Sequence, residues 1–227
     1  EKGKPYLEKA FKLSERLTEK DRLSIKAWYE IANLDFPAAI QTYRQIIAKY
    51  PLETESYWRL GRLLDGEEKS DEAIEVLKQG LVIDSAEKNI HNHLGGIYSR
   101  LGKHAEAIAA HQRYIALAPK EANAYDSLGL SYQWSGDYPR AIENYRRAPE
   151  LNPNFEIALV HLANTHFQMG QYRTAESLFR RYIKIAPSEN EKGRGWNCLT
   201  IVYLRKRDFT AAEKAAQESL KINREDG

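Results

Sequence analysis

Residues 122–155 read ANAYDSLGLSYQWSGDYPRAIENYRRAPELNPNF, and this stretch decides the fold. Its first part sets Tyr125, Leu128, Gly129 and Tyr132 at the three- and four-residue spacing of one helical face. Ser135-Gly136-Asp137 interrupts that face as a turn. A second helical face follows, carrying Ala141, Tyr145 and Ala148, and Asn152-Pro153 closes it. The residue before a proline is pushed out of the helical region, so a helix tends to stop there. Two helices folded back across a short turn need small side chains where they cross, and Gly129 and Ala141 supply them.

The unit recurs on both sides. Pro119, Pro153 and Pro187 are spaced by 34 residues, and so are Ala73, Ala107, Ala141 and Ala175. Leu60, Leu94, Leu128 and Leu162 form a third column, and Gly61, Gly95, Gly129 and Ala163 a fourth. Columns with one fixed period mark a stack of supersecondary units. The expected organisation is a single array: 1–19 a partial terminal repeat helix, 20–53 a degenerate repeat, then full repeats at 54–87, 88–121, 122–155 and 156–189. Trp196, Leu199, Tyr203, Phe209, Ala212 and Ser219 give a C-terminal repeat at 193–226, three residues late. Ser188–Lys192 is therefore either a lengthened loop or an earlier helix start. The first helix of the 20–53 repeat, roughly 22–33, is expected to be short. Pro149 sits near the end of a second helix and reads as an early helix end, with a local bend as the alternative.

The period resembles the tetratricopeptide repeat. In the 122–155 unit the residues that carry the resemblance are Tyr125, Leu128, Gly129, Tyr132, Ala141, Tyr145, Ala148 and Pro153, and all eight signature positions match. Neighbouring units depart from it: His91 and His111 replace apolar residues, and Ser85 replaces the proline. The resemblance implies an all-α, right-handed superhelical solenoid of antiparallel helix pairs. It also implies that the first helices line a concave groove that binds peptides or short helices. The stretch from Leu13 to Tyr50 is similar to tetratricopeptide regions attached to bacterial signalling proteins such as kinases and cyclases.

Composition excludes several other classes. The one cysteine, Cys198, cannot form an internal disulfide, so a disulfide-stapled secreted scaffold is ruled out. A net charge of +2 argues against a nucleic-acid binder that works through bulk electrostatics. No run approaches the ~18 apolar residues of a membrane span. The chain opens with Glu1 and no signal or transit peptide is recognisable, so a cytoplasmic piece of a longer protein is expected.

Carried over by register, the groove exposes Trp58 and Arg62, then Asn92 and His93, then Asn123, Asp126 and Trp134, then His161 and Asn164, and finally Asn197. Amides both donate to and accept from a peptide backbone, and tryptophan is enriched at binding hot spots. These ten are the expected partner-binding residues. The cation pattern of a carboxylate clamp for chaperone tails is missing, and no groove position is asparagine throughout. His91 and His93 point to different sides of a helix, and His161 and His166 are five apart, so neither pair has the helical metal spacing. His91, His111 and His166 read instead as packed histidines. There is no phosphate loop, nucleophile elbow or carboxylate pair. The expectation is therefore no catalytic residue, no metal and no cofactor.

Arg113, Arg146-Arg147 and Arg180-Arg181 recur at one register of the second helices and read as a solvated outer stripe balanced by Glu143 and Glu176, with an anion or phosphate-backbone contact as the alternative. Leu7, Phe11 and Leu220 are expected to leave apolar faces on the end helices, which would allow homo-oligomers. The functional expectation is a non-catalytic protein–protein interaction module. The alternative is a regulatory or assembly domain acting in cis within a larger signalling protein.

Overall fold

A computed structural model describes residues 4–14 and 17–225, and the described residues are all-α. The helices run in chain order as α1 (Lys4–Leu13), α2 (Glu19–Ala32), α3 (Phe36–Lys49), α4 (Thr54–Gly66), α5 (Ser70–Ile83), α6 (Lys88–Arg100) and α7 (His104–Leu117). They continue as α8 (Ala122–Trp134), α9 (Tyr138–Leu151), α10 (Ile157–Gln168), α11 (Tyr172–Ile185), α12 (Glu189–Lys206) and α13 (Phe209–Glu225). Two compact units are present, one ending at Ile97 and one starting at Tyr98.

Within the first unit α2 packs on α3 and α4 on α5; within the second α8 packs on α9, α10 on α11 and α12 on α13. Within the first unit α3 also packs on α4, and within the second α7 packs on α8, α9 on α10 and α11 on α12. The alanine column Ala39, Ala73, Ala107, Ala141 and Ala175 is wholly buried. Large buried side chains from the same helices, Tyr43, Leu77, Tyr145 and Phe179, fill the space beside it.

Every turn inside a pair ends its first helix with one left-handed residue. These are Leu34, Glu68, Gly102, Gly136 and Gly170, again 34 apart, and then Arg207, 37 further on. The N–H of the following residue reaches back five residues to a helix carbonyl, as in Asp137 N to Tyr132 O at 2.8 Å, which is the Schellman closure. The late Arg207 locates the extra three residues: they lengthen α12, whose start is capped by Ser188 Oγ accepting from the Glu191 N–H at 3.3 Å. The earlier helix start is thus the one present.

Three other expectations are corrected. The first helix of the 20–53 stretch is not short, because Thr18 caps it and α2 is a full 14 residues. Pro149 does not end its helix: α9 continues to Leu151, and the Asn152 N–H still closes on Ala148 O at 3.0 Å. What proline removes is only the N–H that would have gone to the Tyr145 carbonyl. At the N-terminal end Leu7 and Phe11 are half-buried, and Phe11 stacks on Tyr29 with ring centroids 4.9 Å apart. Leu220 is more than half exposed.

A left-handed conformation costs an L-residue roughly 1–2 kcal/mol, and glycine escapes most of it. Glu68→Gly is therefore expected to raise unfolding free energy by about 1 kcal/mol in a denaturant titration, and Leu34→Gly likewise. A Gly136→Glu change should cost a comparable amount.

Candidate functional site

The expected binding residues fall in two stretches, one in each unit. In the first unit, Trp58 on α4 lies among cations: the Arg59 and Arg62 guanidinium carbons are 5.4 and 5.1 Å from its ring centroid. Arg59 also sits 5.2 Å from the ring of Trp28 on α2, so the two indoles share one arginine. Glu55 fixes Arg59 from below, accepting at 2.8 and 2.6 Å. Arg62 stays exposed. Trp28 was not among the expected residues, yet it stands 34 positions before Arg62, in the same column. The signal was the period itself, extended into the degenerate repeat. On α6, Asn92 is half-buried, and His93 Nε2 is 3.4 Å from Asp65 Oδ2.

In the second unit the expected residues divide by burial. Asp126 on α8 is buried, and His161 Nδ1 on α10 donates to its Oδ1 at 2.8 Å. The Tyr145 ring packs against that imidazole at 5.4 Å. The Tyr145 hydroxyl donates to Gln133 Oε1 at 2.6 Å, and Gln133 Nε2 donates to Gln168 Oε1 at 3.0 Å. Burial, with the Asp126 charge adding to it, pushes the Tyr145 hydroxyl well above the usual phenol range. Asp126 and His161 thus brace one first helix on the next, and Asp126 has no open surface to offer a partner. Asn123 is exposed and donates to the Tyr114 hydroxyl at 3.4 Å; burial pushes that hydroxyl up to about 12.

Trp134 is 49% exposed at the end of α8, and Asn164 is half-buried on α10. Asn197 joins Ile157, Val160, Tyr182, Arg194 and Cys198 around an apolar pocket of about 370 Å³ between α10 and α12. Gly195 at its edge lets α12 lie close on α11, since a Cβ there would be 2.5 Å from Ile183 Cγ1. Among the described residues, no group of three or more His, Cys, Asp or Glu side chains could hold a metal ion. The packed histidines are satisfied: His91 Nε2 donates to Ser85 O at 3.0 Å, His111 Nδ1 is 2.7 Å from Ser131 Oγ, and His166 Nδ1 is 2.6 Å from Gln171 Oε1.

Residues 93–223 match a family described as the Cilia and flagella-associated protein 70 middle TPR-like domain, and residues 26–88 match the Tetratricopeptide repeat family. The chain belongs to the tetratricopeptide-repeat proteins. No curated protein matches it. Among solved structures it is similar to MamA, at 28% identity over 69% of this chain and 91% of that one, with a TM-score of 0.62. A tetratricopeptide repeat protein from Parabacteroides merdae shares its fold at 18% identity, covering 89% and 79% of the two chains, with a TM-score of 0.76. PilW, described as a widely conserved type IV pilus biogenesis factor, shares it at 20% identity over 88% and 91%, with a TM-score of 0.75. Tetratricopeptide arrays are protein-interaction scaffolds and generally non-catalytic. No helix among the described residues is long and apolar enough to cross a membrane.

The pocket beside Asn197 has a built-in reporter. Burial pushes the Cys198 thiol up, so at pH 8 the folded chain holds less thiolate than a free cysteine would. Alkylation by iodoacetamide should be slower than for a cysteine peptide and should reach the peptide rate in guanidinium. The sign of the linked stability follows. The unfolded thiol loses its proton first, so stability drops as pH rises through the ordinary thiol range.

Proposed function

We propose that this chain is a non-catalytic interaction module whose first helices bind a peptide or helical segment of a partner protein. The observation that carries the reading is the apolar pocket between α10 and α12, on the helices that line the concave groove in this family. Its volume suits one large apolar side chain, and Arg194 and Asn197 at its mouth offer donors to the backbone around that side chain. Trp134 on α8 extends the same row with an exposed indole of the type found at hot spots. Asn164 stands between them in register and supplies a further amide.

The remaining expected residues take different parts in this reading. Asn123 and Asn197 face the partner, and Trp58 and Arg62 offer a second, cationic-aromatic patch in the first unit. Asn92 is a contact at the edge of that patch. His93, Asp126 and His161 are positioning residues, because each already lies against a side chain of another first helix.

The test is capture of a partner on the immobilised chain, followed by a peptide array of the captured sequence. Trp134→Ala should weaken the mapped peptide by about 1–2 kcal/mol, a factor of ten or more. Bound peptide should also protect Cys198 from iodoacetamide. A peptide that binds Trp134→Ala as tightly as the parent, and leaves Cys198 labelling unchanged, would count against the reading.

A further inference from the structure

The second helices carry a site that the first-helix reading leaves unused. Between α9 and α11 the surface sinks into a cavity of about 440 Å³, within the range of ligand pockets. Leu159 and Leu162 of α10 and Leu178 of α11 give it an apolar lining, and all of it belongs to the second unit. Arg146 contributes from α9 and Arg181 from α11. Each belongs to an arginine doublet, and in each doublet the other arginine already lies against a carboxylate. Arg147 Nη1 is 2.5 Å from Glu150 Oε2. Arg180 Nε is 3.1 Å from Glu176 Oε1, and Arg180 Nη2 donates to the Tyr203 hydroxyl at 2.6 Å. Arg146 and Arg181 have no carboxylate partner among the described residues. They stand one register step apart in consecutive repeats, about 1.5 Å of helix rise.

Pro149 shapes the same wall. It lies in the lining, and with no N–H it leaves the Tyr145 carbonyl of the same helix without the usual helical donor. The cavity therefore makes three demands on an occupant: a carboxylate for two guanidinium groups, an apolar body for the leucines, and an N–H donor for the Glu156 carboxylate. A fatty acid meets two of them. A peptide meets all three. Glu150, already held by Arg147, and Glu156 lie in the lining as well and disfavour a ligand that is only anionic.

We propose that this cavity is a second peptide site, taking a partner segment that presents Asp or Glu beside a large apolar side chain. Arginine is suited to this role because its fork meets a carboxylate in two parallel hydrogen bonds, which gives orientation as well as attraction. Occupancy is independent of the first-helix face, so the two readings fail separately.

The experiment is selection of phage-displayed random peptides on the immobilised full chain, with counter-selection on the Arg146→Gln/Arg181→Gln double variant. The expected result is enrichment of sequences with an acidic residue within about two positions of Leu, Ile, Phe or Trp. A synthetic peptide of the enriched sequence should bind the double variant about tenfold more weakly. It should also bind Pro149→Leu more weakly, since leucine changes the wall and restores the helical N–H, while that variant melts at or above the parent temperature. Trp134→Ala should leave this affinity unchanged. Equal binding to parent and double variant overturns the proposal. So does enrichment without an acidic–apolar pair, or loss of binding in Trp134→Ala. Phosphatidylserine vesicles that bind through the two arginines, with no peptide enriched, would also overturn it in favour of a lipid.

Discussion

At Gly129 a single added carbon would stand 2.6 Å from the Tyr145 ring, and at Gly61 it would stand 2.5 Å from Leu77 Cγ. This closeness is what the helix pairs are built on. The second helix brings a large side chain to the point where the first has none, and it brings buried alanine one turn earlier, at Ala141 and Ala73. Bulk on one helix fills the gap left by the other, so the two axes approach without a void. Overfilling such a contact costs about 1–3 kcal/mol. Because pairs within a unit also pack on one another, a displaced pair would misplace its neighbours too, which accounts for the recurrence of the small residues.

With the pairs fixed, polar groups decide how one first helix sits on the next. The α8–α10 seam holds Asp126 against His161 and Gln133 against Gln168. Burying such groups gains little net stability, because desolvation offsets most of the attraction. Leaving one of them unpaired would be expensive, about 1–3 kcal/mol per group. The seam therefore penalises a slipped register more than it rewards the correct one. His111, which stands where an apolar side chain is the family type, does the same with two serines: His111 Nδ1 is 2.7 Å from Ser131 Oγ, which is 3.1 Å from Ser99 Oγ.

The period was legible because it is a property of many positions at once. The 34-residue spacing, the helix pairs and the small crossing residues are all written in the residues themselves. Single substitutions were harder, because their meaning lies in a partner far along the chain. In sequence His91 is a departure from an apolar signature position. In fact Tyr57, His91 and Tyr125 all bond to the backbone carbonyl six residues earlier, at Pro51, Ser85 and Pro119, with lengths of 3.0, 3.0 and 3.1 Å. Histidine reaches the same oxygen with a ring N–H, so the contact survives the loss of both tyrosine and proline. The roles within the expected binding row were equally hidden. Register places Asp126 and Asn123 on one helix face, but only packing reveals that Asp126 is spent on His161 while Asn123 is exposed. Trp28 was missed for the opposite reason: its repeat departs from the signature, so its column was not extended that far.

The arginine doublets bring these threads together. In sequence each doublet is two like charges, and a solvated stripe is the natural reading. Helical geometry separates them by about 100°, so two adjacent arginines cannot share one environment. One meets an acidic neighbour, as Arg147 meets Glu150 and Arg180 meets Glu176, which it shares with Lys206. The other turns towards the hollow between consecutive second helices, where Arg146 and Arg181 line an apolar cavity. A repeat protein makes such hollows at every interval, because each second helix touches its own partner more closely than the second helix of the next unit. Whether a hollow becomes a site depends on what lines it. Here two uncancelled cations, a proline that withholds one N–H, and a leucine floor fall in the same interval.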